Sequence, residues 1–568
     1  VGTKAGFSGK PDSVPELNCI AAGIWLAALI IIAFLTRLRL GYHGVPSFDG
    51  CGYIMHAWNL AQGKLTTAYW AKGVDHYYQP LYPFLILSFH RFFKDWVTAA
   101  NVSNHILGAA LLIPFYFLGR RIYGRVGGIF TAALLVSYPI LVELSSGPSS
   151  EPAFVLLFGS GLYFLHQLIK EGRYFFAFLT GFFFGLSYLA RTQALVFIPV
   201  TAFIFLWLVY GKKLKLAPTA KFFALILLSF YLFALPYDLY CRGKDGIYGL
   251  RARQEFFKKI AEPQTGYWYI EERDLDKDAE TLTNFRMARE CSPLKYVLSD
   301  PEKYFKVVII EYRHSAMAML KDGMVINPLI VCSLLLLFLV VVFKRRPSDQ
   351  ISQFRVHWLW AFFFLVIPPL TAPSAARYYA VLTPILALYG AGGIVFLRDL
   401  FASSKYLRSL SAKPALALWI LGLIFLFPQT RSRYFGSQPA VDANESNRVK
   451  TALWLKKTIS EKGKLVMSME PLAAMMSENN WYLMPADWPM RVVKYAKAQG
   501  VDYLLFEESL FSLTSSPLDW SNYFLTPSDK PGLKYVAGWP SGQEYPLAAL
   551  YRVDKREPAQ SRPPTWYS

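Results

Sequence analysis

Asp49 is a lone carboxylate a few residues beyond the first long apolar run, in the stretch PSFDGCGYIMHAWNLAQG at 46–63. A carboxylate at the rim of a membrane can act as a base on a substrate whose other half lies in lipid. The Asp-Gly pair also suits a plain turn, because Asp starts turns and Gly takes φ > 0. Farther on, DHYYQPLYP at 75–83 places Asp75 and His76 beside Tyr77 and Tyr78. Both are types that can ligate a divalent ion or meet an acceptor, or simply lie in a solvated loop. Glu151 opens a helical pattern after Ser149 and Ser150, where a carboxylate can serve either a site or the helix dipole. Asp238 ends an apolar run. Arg191 and Arg377 stand at the ends of apolar runs, where an arginine is costly unless it meets an anion or water or snorkels to lipid head groups. Tyr69, Trp70, Tyr77 and Tyr78 can stack on a sugar or anchor the loop at the interface.

The elements that position these residues are membrane helices. The chain has 568 residues, is 54% hydrophobic and 17% charged. Composition of that kind is only suggestive, but the runs at 20–36, 97–118, 127–143, 152–168, 325–343 and 376–397 approach the ~20 residues that span a bilayer. The first run has no Ala-x-Ala pattern behind it and continues into Arg37 and Arg39, so it reads as a retained helix and not a signal peptide. A net charge of +20 would point a soluble protein towards nucleic acid. Here the loops account for much of it.

With the N-terminus inside, the loops 119–126, 169–174, 211–221, 344–356 and 398–414 carry 17 basic residues against three acids (Glu171, Asp349, Asp399). The short outer loops 144–151, 190–193 and 370–377 hold only Arg191 and Arg377 as bases. Cytoplasmic loops collect Lys and Arg, so this asymmetry fixes the orientation. It requires 11 spans, at 18–39, 97–119, 127–144, 152–168, 174–190, 194–210, 220–236, 324–343, 356–370, 377–397 and 414–428. The apolar segment 80–93 is short and ends in His90, Arg91 and Lys94; as a full span it would invert every later loop, so it reads as an interfacial or re-entrant helix. The helix after Asp49 carries a polar stripe of His56, Asn59 and Gln62 on an otherwise apolar body, the pattern of a helix lying in the interface.

The expected fold is therefore a polytopic α-helical membrane domain over residues 1–428, with outer loops 40–96 and 237–323, followed by a soluble α/β domain over 429–568. In the tail, Val449, Ala452, Leu455 and Ile459 form a helical stripe, 465–469 and 501–507 read as strands, and 471–478 and 492–498 as helices; helix alternating with strand argues α/β. Of five cysteines, Cys241 and Cys291 share the long outer loop, but so sparse and odd a set is no disulfide framework. No CxxC, HExxH, Walker or dinucleotide-binding pattern stands in a suitable context, so no cofactor is indicated.

These motifs, in their order and on their side of the membrane, resemble the GT-C superfamily of lipid-sugar-dependent glycosyltransferases, in the bacterial branch related to protein O-mannosyltransferases and lipid A aminoarabinose transferases. The resemblance covers residues 18–400 and rests on Asp49 followed by Tyr53, Gln79-Pro80-Leu81-Tyr82-Pro83, Ser150-Glu151, Gly181-x-x-x-Gly185-Leu186 through Leu189 and Arg191, and Arg377-Tyr378 through Pro384. Gly50 stands where the family usually has a second acid, and Gln79 where some relatives have a phosphate-binding Lys.

The resemblance implies a GT-C-like fold in the bacterial inner membrane, with an extracytoplasmic C-terminal domain. It implies a monosaccharide transferred from a polyprenyl-phosphate donor to a hydroxyl of a lipid, glycan or protein acceptor, without nucleic acid. Asp49 would be the general base. Arg377, Arg191 and Lys72 would neutralise the donor phosphate. Glu151, Asp75, His76, Tyr78, Gln79, Tyr53 and Tyr378 would contact the acceptor or assist, with Asp75 and His76 open to a metal. The alternative, a transporter or flippase of lipid-linked glycans, would be expected to show the paired hydropathy of inverted repeats, which the chain lacks.

Overall fold

The computed structural model describes residues 18–41, 46–63, 78–136, 138–245, 301–320, 359–363, 365, 376–403, 443–484, 489–507, 523–540, 542 and 546–555. The chain divides into two compact units. The first comprises residues 1–44, 88–239 and 302–438; the second comprises 45–87, 240–301 and 439–568.

The first unit is helical. Helix α1 (Cys19–Gly41) is capped by Asn18, whose side-chain oxygen accepts from the Ala21 amide at 2.7 Å. A later stretch, Trp96–Val136, is the expected pair of spans at 97–119 and 127–144 in different form. The helices α4 (Trp96–Ala110) and α5 (Leu112–Val136) run together through Arg120 and Arg121, and the chain reverses at Gly124, whose φ of 79° only glycine adopts cheaply. Side-chain oxygen of Thr131 approaches Gly119, and Tyr116 approaches Gly128, so the two limbs fold back on one another. The basic cluster is thus a tight helical corner and not a loop. After α5 the expected single span is interrupted at Tyr138-Pro139, and α6 (Pro139–Ser146) starts afresh, since Pro suits the first helical position.

Helices α7 (Glu151–Glu171), α8 (Tyr174–Ala190), α9 (Phe197–Tyr210) and α10 (Leu216–Asp245) follow the expected spans closely. The Gly181-x-x-x-Gly185 element of α8 is a packing face: a Cβ at Gly185 would come within 2.7 Å of the Phe230 carbonyl, and one at Gly181 would collide with that of Ile226. Small residues let membrane helices approach this closely, which is how they gain contact where lipid removes the hydrophobic drive. Phe154, Phe158, Phe184, Phe197 and Trp360 stack into one aromatic core.

Among the described residues five helical stretches are long and apolar enough to cross a bilayer: 19–40, 96–136, 151–171, 192–210 and 216–240. The protein is a multi-pass membrane protein. The expected spans at 324–343 and 414–428 lie outside the described residues, as does most of 356–370. The expected span at 377–397 begins later, because Ala376–Tyr379 form a 3-10 turn and the helix runs from Thr383 to Ser403. Helix α11 (Pro301–Leu320) precedes it, and we number the Thr383–Ser403 helix α12.

The second unit joins α2 (Phe48–Ala61) and the start of α3 (Leu81–His90) to the α/β region. Its helices are α13 (Ala443–Thr458), α14 (Leu472–Met476) and α15 (Pro489–Ala498). Its strands are β1 (Leu465–Ser468), β2 (Asn480–Leu483), β3 (Tyr503–Glu507), β4 (Leu533–Trp539) and β5 (Ala548–Val553). The sheet order is β2-β1-β3-β5-β4. Strands β2, β1 and β3 are parallel, and β5 lies antiparallel between β3 and β4. The sequence announces β1 and β3; the structure adds three strands. Met467, Val492, Tyr495, Leu504, Phe506, Phe524 and Tyr551 form the core.

Helix α2, expected in the interface, packs within the second unit. Residues Gly50 to Ala57 are buried, and of the polar stripe His56 and Asn59 are buried while Gln62 is exposed.

Candidate active site

The carboxylate region belongs to the second unit. Ser47 caps α2, its hydroxyl accepting from the Gly50 amide at 3.1 Å. Asp49 is therefore in the first turn of the helix and not in a free-standing Asp-Gly turn, a place where the helix dipole favours negative charge. The Tyr78 hydroxyl donates to Asp49 Oδ1 at 3.1 Å. Tyr78 is in turn held edge-on against Tyr53, at 4.7 Å between ring centroids, and Tyr53 meets Tyr82 at 5.0 Å. Tyr78, Gln79 and Tyr82 are buried, whereas Asp49 is only half-buried. A carboxylate that accepts from a neutral hydroxyl and is still partly exposed can be reached from outside. The structure thus brings together Asp49, Tyr53, Tyr78 and Gln79; Lys72, Asp75 and His76 lie outside the described residues.

The cationic region belongs to the first unit. Arg191 ends α8 with extended backbone, its amide bonded to the Ser187 carbonyl at 2.9 Å. Its Nη1 lies 2.5 Å from Glu151 Oε1 and donates to Ser150 Oγ at 3.1 Å, and its Nε donates to Gln193 Oε1 at 3.3 Å. The Tyr378 ring receives two guanidinium groups: Arg191 Cζ lies 5.9 Å and Arg377 Cζ 5.4 Å from its centroid, distances at which cation–π attraction operates. Glu151 also accepts from Ser149 Oγ. Arg191 and Glu151 are both buried, so Glu151 serves at once the start of α7 and as counter-ion of Arg191. Both readings open to it in the sequence stand beside this ion pair: Glu151 is at the start of α7 and is paired with Arg191.

Several supporting residues escape sequence reasoning. Asn104 Nδ2 donates to the carbonyls of Gly147 and, at 2.9 Å, Ser149, pinning the turn that leads into Glu151. Arg37, fully buried, donates Nε to Ser145 Oγ at 2.6 Å and Nη1 to the Ala33 carbonyl at 2.9 Å. Tyr188 on α8 donates to Asp238 Oδ1 at 2.7 Å, tying α8 to α10. Arg37 carried a signal, since a charge inside an apolar run marks a functional or paired position; the Asn104 and Tyr188 contacts carried none. Among the described residues no three His, Cys, Asp or Glu side chains cluster as a metal site would require.

This fold and geometry can be set beside known proteins. Residues 76–237 match the family model described as dolichyl-phosphate-mannose-protein mannosyltransferase. Among solved structures, ArnT from Cupriavidus metallidurans bound to undecaprenyl phosphate is similar at a TM-score of 0.54 and 10% identity, over 93% of this chain and 97% of that one. The Archaeoglobus fulgidus oligosaccharyltransferase in its apo form gives 0.54 at 12% identity, over 86% and 70%. The same archaeal enzyme, AglB, with an inhibitory peptide and dolichol phosphate gives 0.52 at 12% identity, over 86% and 70%. No curated protein matches the chain by sequence. The chain has the GT-C fold of membrane glycosyltransferases. The resemblance carried by its motifs and the match of its fold agree.

Proposed function

We propose that this protein transfers a sugar from a polyprenyl-phosphate donor to an acceptor hydroxyl at the outer face of a bacterial inner membrane, with the N-terminus in the cytoplasm and the α/β region outside. The observation that carries the reading is the half-buried Asp49, held in the first turn of α2 by the Tyr78 hydroxyl within a GT-C fold. ArnT and AglB were solved with undecaprenyl phosphate and dolichol phosphate, which supports a polyprenyl-linked donor.

The proposed reaction is a single displacement at the anomeric carbon. The acceptor hydroxyl gives its proton to Asp49 as its oxygen bonds to that carbon. The carbon–phosphate-oxygen bond breaks, and its electron pair leaves with the polyprenyl phosphate. Charge growing on that phosphate calls for preorganised cations. Arg377 fills this role first, and Arg191, steadied by Glu151, adds to the field. Lys72 is a further candidate. Tyr53, Tyr78 and Gln79 shape the carboxylate side, and Tyr378 the phosphate side. A single displacement inverts the anomeric centre.

The test is transfer in nanodiscs from a panel of radiolabelled polyprenyl-phosphate monosaccharides to extracted envelope lipids, glycans and proteins. Transfer from one donor, with inverted product, supports the reading. Transport of a lipid-linked glycan without formation of a glycosidic bond would replace it.

A further inference from the structure

The residues around Asp49 show what holds it in place. Phe48, the first helical residue of α2 and the immediate neighbour of Asp49, packs edge-on against Trp481 of β2 at 5.6 Å between ring centroids. Trp481 is fully buried, and its indole Nε1 donates to the Ser468 carbonyl at 3.1 Å and to Ser468 Oγ at 3.0 Å on the neighbouring strand β1. The ring is therefore fixed by the sheet. Two residues beyond Asp49, buried Cys51 lies within electrostatic range of the Arg448–Glu470 ion pair, with Arg448 from α13 and Glu470 from the β1–α14 turn. Helix α2 also packs directly on α14. Glu507, buried at the end of β3, lies within electrostatic range of Glu470 and Arg448. None of these five residues of the α/β region has a part in the proposed chemistry, yet they bracket Asp49 from both sides along the chain.

We propose that the α/β region positions the base: Trp481, acting through Phe48, and the Arg448–Glu470 pair, acting beside Cys51, set the orientation of the first turn of α2 and hence of Asp49. This rests on the assignment of Asp49 as base. Trp481 and Arg448 are positioning residues, since neither touches substrate in this account. Angstrom-scale misplacement of a reacting group costs ~10²-fold in rate even when the mutated residue lies away from the chemistry. The contact thus gives the soluble region a direct hold on turnover as well as any role in choosing the acceptor.

The experiment uses the full-length protein in nanodiscs and two readouts. Phe48→Ala removes one ring from a partly exposed position, so the sheet keeps its core; Trp481→Phe keeps an aromatic ring against Phe48, and Trp481→Ala does not. The expected result is a kcat lowered about 10-fold or more in Phe48→Ala and Trp481→Ala, with donor KM within about twofold of wild type and most of the rate restored in Trp481→Phe. Hydrogen exchange in the peptide spanning residues 46–62 should accelerate in the same two variants, while exchange in β1 of Phe48→Ala stays at its wild-type rate. Wild-type kcat in Phe48→Ala, whether or not α2 exchanges faster, overturns the proposal. A parallel Asp49→Asn sample separates the two failures. If it abolishes transfer while Phe48→Ala transfers normally, the base stands and the positioning role falls. If Asp49→Asn transfers normally, the base itself falls, and positioning of a base falls with it.

Discussion

Asp49 and Glu151 occupy the same local position, the first turn of a helix preceded by serine, yet they differ in burial and in the partners the structure gives them. Glu151 is buried, lies against the Arg191 guanidinium and accepts from Ser149. A buried carboxylate so paired is a counter-ion, and removing it strands a charge. Asp49 is half-buried and is held by the neutral hydroxyl of Tyr78. The comparison teaches that helix position alone does not assign a role; the partner does. Under the proposed function, Asp49 is the acceptor of a proton and Glu151 a part of the scaffold that aims Arg191.

The largest effect that could break this contrast is a pair of substitutions. Asp49→Asn should lower transfer by ~10³-fold, the scale of a lost general base, with near-wild-type thermal stability. Glu151→Ala should instead lower stability by about 3 kcal/mol, because it leaves Arg191 buried without its carboxylate; melting curves alongside transfer rates read both. Arg377→Ala sharpens the cationic side. Loss of a charged donor at a developing phosphate should cost ~10²-fold in kcat, and Arg377→Lys should recover part of it, in a single-turnover assay. Tyr78→Phe removes only the hydroxyl that fixes Asp49 and should cost about 10-fold in kcat at unchanged donor KM. Equal losses from Tyr78→Phe and Asp49→Asn would instead make the tyrosine a full partner in the chemistry.

The smallest effect concerns the group beneath α2. Burial, reinforced by neighbouring Glu470 and opposed by Arg448, pushes Glu507 up from 4.5 to about 8. Burial likewise raises Glu470 despite its ion pair with Arg448. The folded form thus prefers Glu507 protonated. Its contribution to stability is complete below the ordinary carboxylate range and is lost as pH rises through about 8. Hydrogen exchange in β3 should show a local stability falling by ~3 kcal/mol between pH 5 and pH 8, and Glu507→Gln should flatten that slope without changing transfer near neutrality. A slope that persists in Glu507→Gln would assign the titration to Glu470.

Much of this architecture is legible in the sequence, for identifiable reasons. The spans of α1, α7, α9 and α10 follow from apolar length alone, because a bilayer demands it. Strands β1 and β3 show as buried runs in a polar tail. Strands β4 and β5 do not: LKYVAGW alternates exposed and buried residues with Lys534 turned outwards, and AALYRV is a short run in a turn-rich region. Asp49 and Tyr78 stand out because they flank one loop, but the hydrogen bond between them spans 29 positions and no local pattern encodes it. The pairing of Glu151 with Arg191, and of Arg37 with Ser145 across 108 positions, is likewise a product of helix packing. Orientation arguments put Glu151, Arg191 and Arg377 on one side of the membrane; only the folded chain shows two guanidinium groups sharing the Tyr378 ring. The burial of His56 and Asn59 on α2 is not visible in periodicity, because a polar stripe reads the same whether it meets water or the inside of a fold.

The most direct test of the central claim measures donor binding and sugar transfer side by side for wild type and Asp49→Asn in nanodiscs, using the donor that wild type accepts. The account predicts that Asp49→Asn binds the polyprenyl-phosphate sugar as wild type does and transfers none of it within the turnover time of the wild type. Undiminished transfer by Asp49→Asn would contradict the account.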